Sequence, residues 1–336
     1  MNEILVVGGG LAGCVAAREL SQGGCAVLLL EKGDALGGNA RKYGCKADEA
    51  CNNCGVCLTG SVWDEVQNDT NIQVLYGAYL VDLTGQKGAY RAYVRMSGAL
   101  KEFRVAAVVV ASGFTHATQS TRNLEIIGGK SDRIISGAQL EAQFKLRTSE
   151  KLLDFAPKSV AFLLCFGSRD VKEKAQYCSR VCCSYSTRAA KTLKYYYPDC
   201  DIEFFFMDLQ MVEHNECYKQ ELMQKGIAFT RCRPTRLRVS GDKVAVLYEG
   251  DDGLTQKQFD LVVIAGGIAP GEDNVSLSDI CSLAINENGF MKYVKEPDYT
   301  GIALSGCASG PKNIQETVAS AKNAARSLLN NFVKVV

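Results

Sequence analysis

The sequence lacks any excess of charge of one sign, and this absence excludes several classes of partner. Its 38 lysines and arginines stand against 37 aspartates and glutamates, which gives a formal net charge of +1. Such a chain has no general field that attracts nucleic acid or an anionic membrane surface. We therefore expect no nucleic-acid partner.

Long apolar runs are also missing. No stretch approaches the roughly 20 apolar residues that span a bilayer. The first residues, MNEILVVGGGLAG, carry no basic leader, and glycines soon interrupt their apolar stretch. We expect a soluble, cytoplasmic protein with no transmembrane segment.

The 15 cysteines are odd in number, so a complete set of disulfides is excluded. Clustered thiols in a reducing compartment indicate metal or redox chemistry, whereas scattered ones are usually small core residues. Eight of the cysteines form two clusters along the chain: Cys45, Cys51, Cys54 and Cys57, and then Cys165, Cys178, Cys182 and Cys183.

The N-terminal sequence predicts a strand, a glycine-rich turn, a helix and a second strand that ends in an acidic residue. Gly8, Gly10 and Gly13 fit G-x-G-x-x-G after the short apolar run EILVV, and the next strand ends at Glu31. In this context the glycines permit a tight turn and a close approach to a pyrophosphate on the helix N-terminus, and the acid accepts from a ribose diol. The pattern predicts a dinucleotide site, although a glycine turn without a ligand has the same local form.

Further segments resemble FAD-binding flavoproteins with two dinucleotide-binding domains. Gly37 and Gly38 form the glycine pair that follows the acid in that group, and VVVASGF, with Ser112 and Gly113, resembles the segment that leads out of the first FAD lobe. Near the end, GCASGPKNIQETV predicts a glycine-rich turn and a helix with Pro311 in its first turn. The resemblance favours FAD over NAD, and it places Gly306 and Ile314 near the flavin.

A second α/β unit follows residue 115. The pattern predicts a serine-capped helix at 136–144, a strand at 159–165, and then a βαβαβ succession with a parallel sheet. We expect an FAD-binding domain in two segments, 1–115 and 259–336, with an inserted Rossmann-like domain at 116–258. After its first strand this insert offers only Gly167, too little for a second pyrophosphate turn.

Four cysteines lie where a second glycine-rich pyrophosphate turn would be expected. Cys165, Cys178, Cys182 and Cys183 have spacings of 13, 4 and 1. Four cysteine thiolates hold a 4Fe-4S cluster, and we favour that interpretation. The alternatives are zinc, which usually takes C-x2-C pairs that this pattern lacks, or inert thiols.

CFGSRD, YCSRVCC and GCASGPKNIQETV, after an N-terminal GGGLAG, together resemble the HdrA family of heterodisulfide reductase. The resemblance spans nearly the whole chain. It implies a thioredoxin-reductase-like fold, FAD in the first lobe, a 4Fe-4S cluster on the four thiols, and a homodimer. It also implies HdrB/HdrC-like iron–sulfur subunits or other electron carriers as partners. The ferredoxin modules of longer members are not present, which indicates a core-only form.

The first cysteine cluster stays open to three interpretations. Cys51, Cys54 and Cys57 form C-x2-C-x2-C, but Ser61 stands at the expected fourth position. In the first interpretation, these three cysteines and Cys45 bind a second iron–sulfur cluster. In the second, two of the four cysteines form a redox-active or sulfur-carrying dithiol. In the third, the cysteines have a structural role only.

Arg188 is the candidate catalytic residue beside the flavin. Family members linked to electron bifurcation carry a lysine five residues after the double cysteine, and Arg188 occupies that position here. An arginine keeps the charge but does not release its proton.

Our main hypothesis is an oxidoreductase: an electron-transfer subunit of a heterodisulfide-reductase-like complex that relays electrons between flavin and iron–sulfur partners in thiol/disulfide or sulfur metabolism. The substrate chemistry would then occur on a partner subunit. The alternatives are an NAD(P)H-dependent flavin disulfide reductase with a cysteine pair within 45–57, and a flavin-binding assembly or sensor protein without a cluster.

Overall fold

The structure is a computed structural model that describes residues 3–48, 50–117, 124–148, 152–171, 174–210, 216–250 and 253–332. The chain divides into two compact units. The first unit is formed by Met1–Arg41, Gly55–Thr115 and Pro270–Val336, and the second by Lys42–Cys54 and His116–Ala269. The second unit thus includes a short segment, 42–54, that the sequence-based boundaries assign to the first domain.

The elements before residue 114 alternate between strand and helix and then become a meander of strands. They are β1 (Glu3–Val7), α1 (Leu11–Gln22), β2 (Ala26–Glu31), α2 (Gly60–Asn68), β3 (Ile72–Tyr76), β4 (Ala78–Gln86), β5 (Ala89–Met96), β6 (Ala99–Val105) and β7 (Ala107–Val110).

The following elements, up to residue 270, again alternate and end in an antiparallel meander. They are β8 (Phe114–His116), β9 (Glu125–Ile127), β10 (Ile134–Ser136), α3 (Gly137–Leu146), β11 (Ser159–Phe166), α4 (Cys182–Tyr196), β12 (Asp201–Phe205), α5 (Glu216–Gln224), β13 (Ile227–Thr230), β14 (Arg236–Ser240), β15 (Lys243–Gly250), β16 (Gly253–Phe259), β17 (Leu261–Gly266) and β18 (Ile268–Pro270).

The last elements return the chain to the first unit. They are α6 (Asn274–Ile280), β19 (Ala284–Ile285), β20 (Met291–Lys292), α7 (Pro297–Thr300), β21 (Ile302–Leu304) and α8 (Ile314–Phe332). Among the described residues, no helix combines the length and the apolar character needed to cross a bilayer.

The first unit is built on a parallel sheet in the order β21-β7-β1-β2-β3. Apolar runs such as EILVV and AVLLLE are buried on both faces, as is typical of a parallel sheet that helices and strands cover. Helices α1 and α8 pack against each other. This arrangement places the carboxyl ends of β1 and β7 beside the first turn of α1, where the predicted dinucleotide residues lie.

The second unit has a parallel sheet in the order β10-β17-β11-β12-β13 and a further sheet in the order β16-β15-β14-β9. Strand β11 is central, and every one of its residues after Ser159 is buried. The predicted serine cap of α3 is confirmed, since Ser136 and Gln139 form a reciprocal capping box. The predicted succession of parallel strands is confirmed as well.

The prediction for Pro311 is wrong, because α8 begins only at Ile314. Asn313 caps the helix instead: its Oδ1 accepts from the Glu316 amide at 2.8 Å, and Glu316 Oε2 accepts from the Asn313 amide at 3.0 Å. Two backbone donors of the helix end are satisfied in this way, which fixes the start of the helix after the proline.

Candidate functional site

The glycine turn of the first unit has the backbone that a pyrophosphate site requires. Gly8 has φ +106°, and a side chain there would meet the carbonyl oxygen of Ala111. A side chain at Gly13 would collide with the Gly8 carbonyl oxygen, so helix and strand meet closely only because both positions are glycine. By contrast, a Cβ at Gly10 would meet no described atom within 4 Å. Gly10 therefore lies beside open space.

Glu31, at the end of β2, is fixed by two backbone donors. Its Oε2 accepts from the Gly9 amide at 3.0 Å and its Oε1 accepts from the Gly33 amide at 2.6 Å. Each carboxylate oxygen retains capacity for another hydrogen bond. The residue is thus held beside the glycine turn in a form that suits a ribose diol.

The other predicted dinucleotide residues of the first unit pack around the same turn. The Gly37 amide donates to the Gly9 carbonyl at 2.8 Å, and a Cβ on Gly38 would lie 3.1 Å from the Gly10 Cα. Gly306 packs against Ala12 in the first turn of α1. The structure therefore brings residues from four separate stretches of sequence to one helix N-terminus.

Ser112 and Gly113 leave the first lobe directly after β7. The Ser112 backbone nitrogen would lie 3.4 Å from a Cβ at Gly8, and the Ser112 hydroxyl donates to Asn274 Oδ1 at 3.1 Å. Ile314 is the first residue of α8. The bond from Ser112 to Asn274 holds the segment that leaves the glycine turn.

In the second unit, Cys165, Cys182 and Cys183 meet where a strand faces a helix. Cys165 is the next-to-last residue of β11, and Cys182 and Cys183 are the first residues of α4. All three are at most 3% exposed, while Cys178 is half-buried. In an α/β unit the carboxyl end of a strand lies beside the amino end of the following helix, and this is why thiols so far apart in sequence come together.

The loop that joins β11 to α4 is built for close approach. Cys165, Gly167 and Arg169 all have positive φ values of 66°, 71° and 56°. A side chain at Gly167 would collide with Ala117, so this turn is filled by protein, unlike the open turn at Gly10.

Backbone N–H groups from the loop after β12 are directed at two of the sulfurs. A hydrogen bond from the Cys182 thiol, supported by the Gln210 amide, lowers the pKa of Cys183 to about 7 and raises the pKa of Cys182. Burial raises the pKa of Cys165, and the Met207 amide opposes this rise. N–H donors to sulfur favour the thiolate, which is the form that binds iron.

An arginine of the loop that joins β11 to α4 is close enough to these thiols to affect their charge states. Arg169 influences Cys165, Cys178 and Cys183 electrostatically, and its Nη1 is buried with no hydrogen-bond partner among the described residues. A buried donor without a partner is costly. The donor set of four thiols, N–H groups and one cation therefore fits an anionic iron–sulfur group. In the described part of the chain, no group of three or more His, Cys, Asp or Glu side chains is arranged to hold a single metal ion. A cubane differs from such a site, because its four thiolates each bind a separate iron.

The first cysteine cluster is divided between the two units. Cys45, Cys51 and Cys54 belong to segment 42–54 of the second unit, and Cys57 belongs to a short 3-10 helix, Val56–Leu58, of the first. Cys45, Cys51 and Cys57 are exposed. Cys45 and Cys51 each accept from the amide two residues later, at 3.4 Å in both cases. Cys178 accepts from Arg180 in the same way at 3.3 Å.

Segment 42–54 is attached to helices α3 and α4 by polar groups that the sequence did not reveal. Lys46 and Glu141, 2% and 6% exposed, form an ion pair of 2.6 Å. Thr192 donates to the Lys46 carbonyl at 2.8 Å, and Arg188 Nε donates to the Asn52 carbonyl at 2.9 Å. Arg188 therefore holds the segment that carries three cysteines, and its role beside a flavin stays a prediction.

Comparison with known proteins gives relatives over nearly the whole chain. The HdrA component of a CoB–CoM heterodisulfide reductase from Methanosarcina acetivorans is 25% identical, with 98% of this chain and 53% of the relative covered. The corresponding HdrA component from Methanothermobacter thermautotrophicus is 32% identical over 69% of this chain and 38% of its own length.

The chain is a relative of the HdrA component of heterodisulfide reductase.

The resemblance that the cysteine motifs predicted is thereby confirmed. The chain spans only part of these relatives, 53% of the length of the first and 38% of the length of the second. A family model described as an NAD(P)-binding Rossmann-like domain matches residues 6–78, which contain the glycine turn and Glu31.

Solved structures confirm the predicted fold class. Thioredoxin reductase from T. acidophilum superposes with a TM-score of 0.67 over 99% of this chain and 100% of its own, at 17% identity. The thioredoxin reductase of Lactococcus lactis gives a TM-score of 0.64 over 98% of this chain and 99% of its own, also at 17% identity. The predicted oxidoreductase class agrees with the names of these relatives and structures.

Proposed function

We propose that the chain is an FAD- and 4Fe-4S-containing electron-transfer subunit of a heterodisulfide-reductase-like complex. The observation that carries this proposal is the contrast between the two strand–helix junctions. At the first, an open glycine turn fits a dinucleotide; at the second, the turn is closed by Ala117 and four thiols with an unpartnered Arg169 donor stand instead. A relative in Methanopyrus kandleri, 23% identical over 96% of this chain, is named an iron–sulfur subunit.

The residues divide into two binding sets. The turn around Gly8, Gly10 and Gly13, with Glu31 for the ribose, holds the FAD, and Cys165, Cys178, Cys182 and Cys183 hold the cluster. FAD exchanges two electrons in total and a 4Fe-4S cluster one at a time, so a chain with both converts between the two modes. We place the reduction of a disulfide on HdrB/HdrC-like partner subunits, with this chain as a cytoplasmic homodimer.

The Gly10→Val variant tests the FAD site. Because no described atom lies within 4 Å of a Cβ at Gly10, the side chain should enter only the space of the pyrophosphate. We expect flavin binding weakened at least about tenfold, or ~1.4 kcal/mol, with an unchanged circular dichroism spectrum. Flavin absorbance after gel filtration measures this.

Gly60→Ala is the control, since it adds bulk to another glycine at the start of a helix, the first residue of α2, with only Trp63 4.0 Å from the added Cβ. It should retain its flavin. Full flavin occupancy in Gly10→Val would show that the glycine turn is not part of the FAD-binding site, and it would contradict that assignment.

An NAD(P)H-dependent disulfide reductase is the second candidate function. Its support is the thioredoxin-reductase fold and the exposure of Cys51 within a C-x2-C pair. On our proposal, stoichiometric NADPH should not bleach the flavin within seconds under anaerobic conditions, because the second unit offers no pyrophosphate turn in its described residues. Dithionite should reduce the flavin. Stopped-flow absorbance at the flavin band distinguishes the two functions, and rapid bleaching by NADPH would favour the second.

A further inference from the structure

Arg169 occupies an unusual place in the second unit. It follows Cys165 by four positions, in the loop that leaves β11, and its own φ is +56°. A left-handed backbone is uncommon for a residue with a long side chain, and such residues cluster at functional sites. The Arg169 amide donates to the Tyr177 carbonyl at 2.9 Å, which secures this backbone.

One side of the guanidinium has a counterion. Arg169 Nη2 donates to Asp208 Oδ2 at 2.7 Å, and the arginine side chain is 26% exposed. Asp208 also accepts from Arg231 Nη2 at 3.1 Å through its other oxygen. Two arginines thus share one carboxylate, so the charge of Arg169 is only partly compensated.

The other side has no partner within the described part of the chain. Nη1 of Arg169 is buried and makes no hydrogen bond there. The guanidinium is also close enough to Cys165, Cys178 and Cys183 to affect their charge states. Arginine never releases its proton at ordinary pH, so this is a permanent cation with a free N–H. Arg231 is placed differently: its side chain is 74% exposed, and its described bonds go to Asp208 and the Met207 carbonyl.

We propose that Arg169 is a positioning residue that raises the reduction potential of the iron–sulfur cluster held by the four thiols, with Nη1 directed at the cluster. Reduction adds an electron to an already anionic group, and a fixed cation with an N–H donor favours the more negative state. The inference rests on the proposed function, because it requires a cluster at these cysteines. It assigns to Arg169 the control of how readily an electron enters the second unit.

The test is a reduction potential of the anaerobically purified full chain. Iron and acid-labile sulfide are measured first, and the cluster is then titrated electrochemically with electron paramagnetic resonance as the readout. In Arg169→Gln we expect the equilibrium constant for one-electron reduction to fall at least about tenfold, which corresponds to a potential lower by about 59 mV. Arg169→Lys should lie between this variant and the native chain.

Arg231→Gln is the matched control, since it removes a cation from the same carboxylate on the exposed side. Its potential should stay at the native value. An unchanged potential in Arg169→Gln with four irons bound overturns the inference, as does an equal fall in Arg231→Gln. If Arg169→Gln binds no iron, Arg169→Lys decides: a potential below the native value supports the inference and an equal one overturns it. If neither variant holds iron, Arg169 serves assembly and the inference fails.

Failure of the proposed function gives a different result. In that case the native chain itself contains no iron or sulfide, and no potential is measured for any variant.

Discussion

The Cys165→Ala variant should retain flavin and lose its iron. A cubane requires four thiolates, and Cys165 is buried at the end of the central strand, where Cys178 and Cys183 influence it electrostatically. Iron content should fall from about four per chain to less than about one. The broad iron–sulfur absorbance should disappear together with the iron, while the flavin band remains because the glycine turn belongs to the other unit.

Cys200→Ala is the control for this experiment. Cys200 is also buried in the second unit, at 2% exposure, but it stands before β12 and its pKa, raised to about 12 chiefly by burial, is that of an inert thiol. It should retain the full iron content. Iron loss in Cys200→Ala, or full iron in Cys165→Ala, would contradict the ligand assignment.

The Lys46→Met variant should destabilise the second unit by about 3–5 kcal/mol at neutral pH. It leaves Glu141 buried without its partner, and breaking a buried ion pair typically costs this amount. Lys46 and Glu141 are 2% and 6% exposed and 2.6 Å apart. Urea unfolding followed by far-ultraviolet circular dichroism measures the loss.

The loss of stability in Lys46→Met should depend on pH, and the pKa of Glu141 determines the direction of this dependence. Burial raises the pKa of Glu141 above its ordinary value of 4.5, and Lys46 opposes that rise. A group with a raised pKa in the folded state binds its proton more tightly there, so stability falls as pH rises from the ordinary pKa through the folded one. Without Lys46 the folded pKa moves higher still. The loss in Lys46→Met should therefore be small near pH 4.5 and grow toward neutral pH.

Lys32→Met serves as the control, because Lys32 and Asp273 form an ion pair of 3.1 Å with exposed side chains. Exposed pairs contribute about 0–1 kcal/mol. Equal losses in the two variants, or a loss in Lys46→Met that does not depend on pH, would show that the buried pair is not what attaches segment 42–54.

The elements that the sequence predicts well are those whose signal is local. The glycine turn at Gly8 to Gly13 is a contiguous motif, and the strand of 159–165 is an unbroken apolar run between turn residues. The meeting of Cys165 with Cys182 and Cys183 follows from the same rule, because a strand and the next helix of an α/β unit meet at a fixed end.

Contacts between residues far apart in the sequence leave no local pattern from which they can be predicted. Lys46 and Glu141 stand 95 positions apart, and nothing in the sequence near either residue indicates a buried pair. Segment 42–54 therefore could not be assigned to the second unit. Arg169 was visible as part of CFGSRD, but its unpartnered Nη1 depends on the positions of Asp208 and of the thiols. Pro311 was misplaced because the capping box of Asn313 and Glu316 determines where α8 begins.

The composition of the anaerobically purified chain tests the central claim most directly. Flavin, iron and acid-labile sulfide are measured per chain on one sample. We predict one FAD with about four irons and four sulfides, or about eight of each if cysteines 45–57 hold a second cluster. Flavin without iron or sulfide would contradict the account and leave a flavoprotein whose buried thiols have another use.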